Sequence, residues 1–254
     1  MQVKLVSGWS NPGGSTLHHI GLTNLLNANG FDCTFYGPHE WHMDKCKSGH
    51  ISECKLTVHD TLISHFIQVQ TTNVKKHILS CHETNLFPLK DLPTHRYDLI
   101  QYVSNFQREW HGVIDRPGIV IPPRVEKIEW TSPRNNTAGV VGSIDEHKQP
   151  HKAIEMAFSD GFDKVLLYGQ ITDLPYFEEY IQPLMGRVQI RNHEDNKAAM
   201  YGSVEAVYHA SKRETYGLVE AECKAAGVPF RGAENNPTIM TDEEILRIWK
   251  KVLQ

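Results

Sequence analysis

The segment AVYHASKRETYGLVEAECKAAGVPF, residues 206–230, contains a complete strand, loop and helix. Its first residues predict a short buried strand, Ala206–His209, while Leu218–Ala226 has the composition of a helix that ends at Gly227. Ligands of open α/β sheets bind at the carboxyl ends of the parallel strands. The loop that carries Glu214 is therefore a candidate binding site.

The beginning of the predicted helix suits an anionic ligand. The amides of Gly217, Leu218 and Val219 lie where N–H groups have no partner within the helix and where the helix dipole is positive. These amides therefore predict a phosphate site. Glu222 lies one turn further along, on the same face as Leu218, and its carboxylate suits ribose hydroxyls.

The same segment resembles the donor-binding motif of the family 4 retaining glycosyltransferases, in which two glutamates separated by seven residues lie in an E-G-F-G-L-V-x-x-E-A-x-A-x-G-x-P frame. Here the frame reads E-T-Y-G-L-V-E-A-E-C-K-A-A-G-V-P, with Glu214, Tyr216, Gly217 and Glu222 in register. The resemblance implies a GT-B fold, with two Rossmann-like doubly wound α/β domains that face a cleft. It also implies a retaining, metal-independent hexosyltransferase-like enzyme, which moves a sugar from a nucleotide-diphosphate donor to a hydroxyl acceptor on a glycan, lipid or small molecule.

A second block, GVVGSIDEHK at residues 139–148, resembles the family's strand and loop that place a basic pair against the donor diphosphate. Lys148 matches the lysine of that pair, and Ser143 stands where the family has an arginine. The resemblance makes Glu214, Lys148 and His82 the catalytic candidates. The donor-binding candidates are Gly13, Gly14, Ser143, Lys148, Tyr216, Gly217, Leu218, Val219 and Glu222.

The candidates in the first half rest on looser similarity. Gly13 and Gly14 precede the first predicted helix and resemble the family's glycine-rich loop. His82 follows the predicted strand His77–Cys81, where many family members carry a histidine that meets the donor sugar. A surface histidine stays open as the alternative, because the chain has 15 histidines. His65 also ends a predicted strand and is a weaker candidate.

Strand-length apolar runs alternate with helical patterns along the whole chain, which predicts parallel sheets with crossover helices. Pro122-Pro123 interrupts the pattern, so we predict an N-terminal Rossmann-like domain at residues 1–122, on the acceptor side, and a C-terminal donor-side domain at residues 123–254. A capping box at Thr241 begins a final amphipathic helix. The predicted strands are Val3–Val6, Cys33–Tyr36, Leu62–His65, His77–Cys81, Leu99–Val103 and Gly118–Ile121, then Ala138–Val141, Lys164–Tyr168, Val188–Ile190 and Ala206–His209.

Composition limits the partners and the compartment. The chain has 254 residues, a formal charge of -4 and no dense basic tract, so we expect no nucleic-acid partner. No apolar run has the length of a transmembrane segment, although peripheral membrane contact stays open. The N-terminus lacks the regions of a signal peptide, and the five cysteines are an odd number, so we expect a cytoplasmic protein with reduced thiols.

Several other functions compete with glycosyl transfer. His42, Cys46, His50 and Cys54 recur every four residues, but their spacing matches no zinc motif, so no metal site is predicted. A nicotinamide-dependent dehydrogenase is disfavoured because the first loop lacks G-x-G-x-x-G. A nucleotide-sugar epimerase of GT-B fold and a catalytically weak nucleotide-sugar-binding protein stay open. The loss of the arginine at Ser143 favours the binding protein.

Overall fold

The computed structural model describes residues 1–10, 13–38, 41–65, 73–84, 89 and 94–254. Within these residues the chain forms two compact units. The first comprises Met1–Arg124 and Thr238–Gln254, and the second comprises Val125–Pro237. Each unit is built on its own parallel sheet, as the alternating sequence pattern predicts.

The first unit contains a sheet of seven parallel strands, counted over the described residues, in the order β3-β2-β1-β4-β5-β6-β7. Helix α1 (Gly14–Ala28) connects β1 to β2, and α2 (Asn105–His111) lies between β6 and β7. Short 3-10 turns occur at Met43–Lys45, Ile51–Glu53 and Thr94–Arg96. The strands are β1 (Gln2–Ser7), β2 (Asp32–Gly37), β3 (Ser48–His50), β4 (Thr61–His65), β5 (Lys76–Ser80), β6 (Leu99–Tyr102) and β7 (Gly118–Val120).

The second unit contains five parallel strands in the order β10-β9-β8-β11-β12. Its strands are β8 (Thr137–Val141), β9 (Lys164–Tyr168), β10 (Val188–Asn192), β11 (Ala206–His209) and β12 (Phe230–Gly232). Its helices are α3 (Pro150–Ser159), α4 (Leu174–Tyr176), α5 (Lys197–Gly202) and α6 (Leu218–Ala226). Helix α4 continues into a π-helical turn, Phe177–Ile181, which is followed by a 3-10 turn, Gln182–Leu184. The bounds of β11 and α6 are those predicted from the sequence.

Each sheet has one point at which the strand order reverses. In the first unit the chain moves from β1 outward to β2 and β3, then returns to β4 on the other side of β1. In the second unit it moves from β8 to β9 and β10, then returns to β11 on the other side of β8. The loops after the strands at such a switch point diverge, and they leave a crevice that binds ligands in this fold class.

The last helix, α7 (Asp242–Leu253), begins at the predicted capping box, in which Thr241 and Glu244 bond each other's backbone amides. It belongs to the first unit, although the predicted division placed all of residues 123–254 in the second domain. Its apolar face includes Trp249, which is fully buried in the same core as Val3 and Phe35. The predicted boundary is therefore corrected at the C-terminus, because this core provides the surface that an amphipathic helix must cover.

Three described elements were absent from the sequence prediction: the short edge strand β3, the helix α2 and the strand β12. β3 and β12 are each three residues long and pair with only one neighbour. Such short segments carry too little periodicity to distinguish a strand from a loop. Helix α2 begins at Ser104, whose hydroxyl accepts the Gln107 amide as an N-cap.

Candidate functional site

Glu214 lies at the switch point of the second sheet. It follows β11, while Lys148 follows β8, and the Lys148 Nζ atom is 2.6 Å from the Glu214 Oε1 atom. His209, the last residue of β11, places its Nε2 atom 2.8 Å from the same oxygen. Two loops that are 66 residues apart in sequence therefore meet through one carboxylate.

This carboxylate stays ionised although it is largely buried. Burial by itself raises the pKa of Glu214, but the hydrogen bond from His209 and the positive charge of Lys148 outweigh burial and lower the pKa to about 2. At neutral pH the Glu214 side chain therefore carries a fixed negative charge at the carboxyl ends of the strands. Such a charge can accept ligand hydroxyls or stabilise a developing positive charge.

The loop that carries Lys148 is held by Asp145. The Asp145 Oδ1 atom accepts the Lys148 backbone amide at 2.8 Å, and the Oδ2 atom accepts the hydroxyls of Ser143 and Thr172. Burial opposes ionisation of Asp145, but these hydrogen bonds outweigh it and hold the pKa of the carboxyl below its usual value. Ser143 thus stabilises the loop from the position where the family has an arginine.

Helix α6 begins shortly after Glu214 in the sequence. Gly217 caps the helix with a φ of +84°, a conformation that strains any residue with a side chain. A Cβ atom there would also meet Asn235 Nδ2 at 3.1 Å. Tyr216 is buried, and burial raises the pKa of its hydroxyl well above the usual value. The amides of Leu218 and Val219 have no acceptor within the helix and are available to an anion.

Glu222 is nearly fully buried on α6 and contacts helix α5. The Lys197 ammonium forms an ion pair with the Glu222 Oε1 atom, and the Tyr201 hydroxyl donates to the Oε2 atom at 2.6 Å. An ionised carboxylate offers about four lone-pair directions, so these two partners leave it capacity for ligand hydroxyls. The structure therefore supplies Glu222 with a rigid support that the sequence pattern does not show.

Glu220 is a second buried carboxylate on α6, and its side chain is fully buried. Its oxygens accept the backbone amides of Asn235 at 2.7 Å and Asn236 at 3.3 Å, and Lys224 lies 2.7 Å away. Glu220 thus fixes the loop after β12 to the first turn of α6.

The remaining candidates lie in the first unit. Gly13 caps helix α1, Gly14 is its first residue, and the Gly13 carbonyl accepts the Leu17 amide at 3.2 Å. His82 follows β5 and is half-buried, and Ser80 Oγ lies 3.1 Å from its Nε2 atom. Its ring contacts those of His18, His19 and His65, so it is not an isolated surface histidine.

The chain matches no known protein-family model and no curated protein sequence. Solved structures are similar over nearly the whole chain. The UDP-glucose complex of HepE from Anabaena has a TM-score of 0.70 at 13% identity and covers 100% of this chain and 90% of that one. WaaG, a glycosyltransferase involved in lipopolysaccharide biosynthesis, has a TM-score of 0.66 at 11% identity, with 99% and 90% covered.

AviGT4, a glycosyltransferase involved in avilamycin A biosynthesis, has a TM-score of 0.65 at 17% identity and covers 91% of this chain and 78% of that one. These structures share the arrangement of two parallel α/β sheets. The chain has the GT-B fold. At these identities the similarity establishes the fold alone.

Four polar residues of the site were missed in the sequence analysis: His209, Asp145, Lys197 and Tyr201. His209 ends a predicted strand, next to the loop that carries Glu214, and its position was the available signal. The other three support a candidate residue, and Asp145 does so from within the block of residues 139–148, where only Ser143 and Lys148 were assigned roles. Nothing in the local sequence indicates that α5 lies beside Glu222.

Within the part of the chain that the structure describes, no helix has both the length and the apolar composition needed to cross a membrane.

Proposed function

We propose that this chain is a retaining glycosyltransferase that moves a sugar from a nucleoside-diphosphate donor to a hydroxyl acceptor, with no metal ion on the diphosphate. The observation that carries the proposal is the Glu214 carboxylate, held by Lys148 and His209 at the switch point that precedes α6. Glu214 begins the segment that resembles the donor-binding motif of family 4, and Lys148 lies in the block that resembles the family's diphosphate-binding loop. HepE is described in complex with UDP-glucose, so a UDP-sugar is the first donor to test.

The residues of the second unit suit the electrostatic demands of this reaction. The leaving nucleoside diphosphate gains negative charge, which the Lys148 ammonium and the first amides of α6 can stabilise. Glu214 can bind donor hydroxyls, and its charge can support the positive character of the sugar ring. Glu222, supported by Lys197 and Tyr201, is assigned to the ribose hydroxyls.

The first unit is proposed to supply the acceptor side. Family resemblance assigns Gly13 and Gly14 to the loop near donor and acceptor, and His82 to the donor sugar. Gly13 and Gly14 begin the same helix whose first turns carry His18 and His19, and both rings contact His82. These ring contacts bring His82 next to the first turns of α1 within the first unit, which supports a common role for His82 and the Gly13–Gly14 loop.

A catalytically weak nucleotide-sugar-binding protein is the second candidate. The observation in its favour is Ser143, which donates to Asp145 and leaves Lys148 without the second cation of the family's pair. A nucleotide-sugar epimerase would use the same diphosphate site. Turnover of the donor to a free nucleoside diphosphate in the presence of an acceptor separates transfer from both alternatives.

The compartment we propose is the cytosol. All five cysteines are free thiols in the structure, and three of them are buried. Free thiols are typical of a reducing compartment.

The first prediction is that a nucleoside diphosphate stabilises the folded chain. At about a hundredfold its dissociation constant, the ligand should add roughly 2–3 kcal/mol to the free energy of unfolding. Thermal melting with the diphosphates UDP, GDP, ADP and dTDP measures this directly, and the monophosphate CMP is screened beside them. If none of them raises the melting temperature or gives saturable calorimetric heat, the donor site is misassigned.

The second prediction separates chemistry from binding at Glu214. Glu214→Gln should reduce transfer by about two orders of magnitude or more while the affinity for the free nucleoside diphosphate stays nearly unchanged, because its charge acts on the sugar. Lys148→Ala should reduce both the rate of transfer and the affinity for the nucleoside diphosphate. Glu155→Gln, on the exposed face of α3, is the control. Wild-type transfer by Glu214→Gln would remove this residue from the reaction and favour the binding protein.

A further inference from the structure

The first unit contains a group of four imidazoles, His18, His19, His65 and His82, which we call the histidine cluster. His18 and His19 lie on α1, His65 ends β4, and His82 follows β5. These elements surround the switch point between β1 and β4, where open α/β sheets bind ligands. All four residues belong to one compact unit.

Three of the rings form a triangle of nearly equal sides. The ring centroids of His18 and His82 are 4.7 Å apart, those of His19 and His82 are 4.9 Å apart, and those of His18 and His19 are 5.6 Å apart. Imidazoles that bind one tetrahedral zinc ion through nitrogens at about 2.0–2.1 Å have centroids roughly 5 Å apart. The rings of the triangle are therefore spaced as ligands of a single ion.

The nitrogens of two of these rings have no partner among the described residues. His18 and His19 are at least nine-tenths buried, and none of their four ring nitrogens makes a hydrogen bond to a residue that the structure describes. A buried polar group without a partner destabilises the folded state, so such groups are uncommon in native proteins and call for a ligand. Neutral imidazole is the side chain that most often ligates a transition metal.

The other two histidines are oriented by neighbouring side chains. Ser80 Oγ bonds the His82 Nε2 atom at 3.1 Å, which leaves Nδ1 as the atom we assign to a ligand. His65 is bonded by Ser7 at 2.8 Å on Nδ1 and by Glu83 at 3.1 Å on Nε2. Hydrogen bonds of this kind fix ring orientation around metal sites.

We propose that His18, His19 and His82 bind a divalent transition-metal ion of the zinc class, with His65 and Glu83 beside it. In the present conformation no three of the ring nitrogens lie within 4.8 Å of one another. Binding therefore requires the rings of His18 and His19 to rotate about the Cβ–Cγ bond, a torsion with a broad energy profile. Because their nitrogens have no hydrogen bonds to the described part of the chain, this rotation breaks none there.

The protonation state of the cluster suits this role. Burial lowers the pKa of His18 to about 3 and lowers the pKa of His19 and His82 well below the usual value, and the neighbouring imidazoles act in the same direction. The rings are therefore neutral at pH 7, which is the form that ligates a metal. Imidazole donors suit zinc, copper, nickel and iron rather than magnesium or calcium.

The test uses the full chain without an affinity tag. The protein is stripped with a chelator, incubated with Zn²⁺, dialysed and assayed for metal by mass spectrometry. We expect about one zinc ion per chain, a higher melting temperature with Zn²⁺, and cobalt absorption bands of tetrahedral intensity when Co²⁺ replaces Zn²⁺. His18→Gln and His19→Gln should each weaken zinc binding at least tenfold, while His59→Gln, an exposed histidine of the same unit, should bind as the wild type does.

Circular dichroism of the metal-free variants checks that they fold. Should either variant fail to fold, the cobalt spectrum and the zinc content of the wild type decide the question. The proposal is overturned if the wild type retains no zinc and shows no tetrahedral cobalt bands. It is also overturned if both variants fold and retain as much zinc as the wild type. Neither result bears on Glu214, Lys148 or Glu222, the donor-site residues of the second unit.

Discussion

At the scale of single residues, the Glu222 carboxylate shows how the candidate site depends on buried charge. It forms an ion pair with Lys197, whose own pKa is lowered by burial, and it accepts the Tyr201 hydroxyl. Removal of one partner of a buried pair leaves an uncompensated charge, which costs about 3–5 kcal/mol. Glu222 therefore affects stability as well as ligand binding.

We predict that Glu222→Ala lowers the free energy of unfolding by about 3 kcal/mol and weakens nucleotide binding by roughly 1.5–3 kcal/mol. Urea denaturation and calorimetry measure the two effects separately. Glu222→Ala combined with Lys197→Met should recover much of the stability but not the nucleotide affinity, because no buried charge is then unpaired. If the double variant loses the sum of the single losses, the pair is not coupled.

The histidine cluster predicts sensitivity to acid in metal-free protein. The pKa values of His18, His19 and His82 are lower in the folded state than the ordinary value of 6.5, so the unfolded chain binds more protons. Their contribution to stability is present above pH 6.5 and is lost as pH falls, by about 1.4 kcal/mol per pH unit for each histidine. Arg124 faces the cluster, and its positive charge lowers the pKa of His18 further.

Urea unfolding with a chelator at pH 7.5 and pH 5.5 measures this loss. His19→Gln should reduce the pH dependence, and the exposed control His59→Gln should not. Equal stability of the wild type at both pH values would show that folding does not lower the pKa of these imidazoles.

At the scale of elements, the first turn of α6 and the loop after β12 form one assembly. Glu220 accepts the amides of Asn235 and Asn236, and Asn235 packs against Gly217, which begins the helix. The position of this loop therefore depends on a carboxylate that the sequence motif leaves unspecified. The loop in turn limits the space beside the amides that we assign to the donor phosphate.

Glu220→Ala should lower the free energy of unfolding by about 2–3 kcal/mol, because two loop amides lose a charged acceptor. It should also weaken nucleotide binding through displacement of Asn235. Glu220→Gln should retain part of the stability and part of the nucleotide affinity, since one side-chain oxygen remains. Chemical denaturation compares these variants with the exposed control Glu155→Ala. Wild-type stability in Glu220→Ala would indicate that water replaces the carboxylate.

At the scale of the whole molecule, the chain leaves the first unit at Arg124 and returns to it at Thr238. Helix α7 completes the first core with Ile245, Trp249 and Leu253. Its ends are also tied to this unit, since Arg124 Nε donates to Asp242 Oδ1 at 2.6 Å and the Lys76 ammonium bonds the Val252 carbonyl. The folding of the first unit therefore requires residues from both ends of the chain.

Trp249→Ala should lower the free energy of unfolding by about 3–5 kcal/mol, because removal of a fully buried aromatic side chain leaves a cavity. Hydrogen exchange should show the loss of protection in β1 and β2, while β8 and β11 stay protected. Lys250→Ala, on the exposed face of the same helix, is the control. Loss of protection confined to β8 and β11 would instead assign α7 to the second unit.

The local features of this protein are readable from its amino-acid sequence. Apolar runs and helical spacing located most of the strands, including β11, and the helix α6, because these patterns arise from neighbouring residues that share one face. The capping box at Thr241 was readable for the same reason, since its partners are three residues apart. The register of Glu214 and Glu222 likewise follows from one continuous segment.

The contacts between distant residues follow from the three-dimensional fold and have no local signal in the sequence. The contact of Lys148 with Glu214, the burial of Glu220 and Glu222, and the assembly of the histidine cluster depend on strands adjacent in space but separated in sequence. The attachment of α7 to the first unit is of the same kind, because an amphipathic helix specifies that it must be covered without specifying by which core. The core that covers α7 is decided by packing between residues far apart in the sequence.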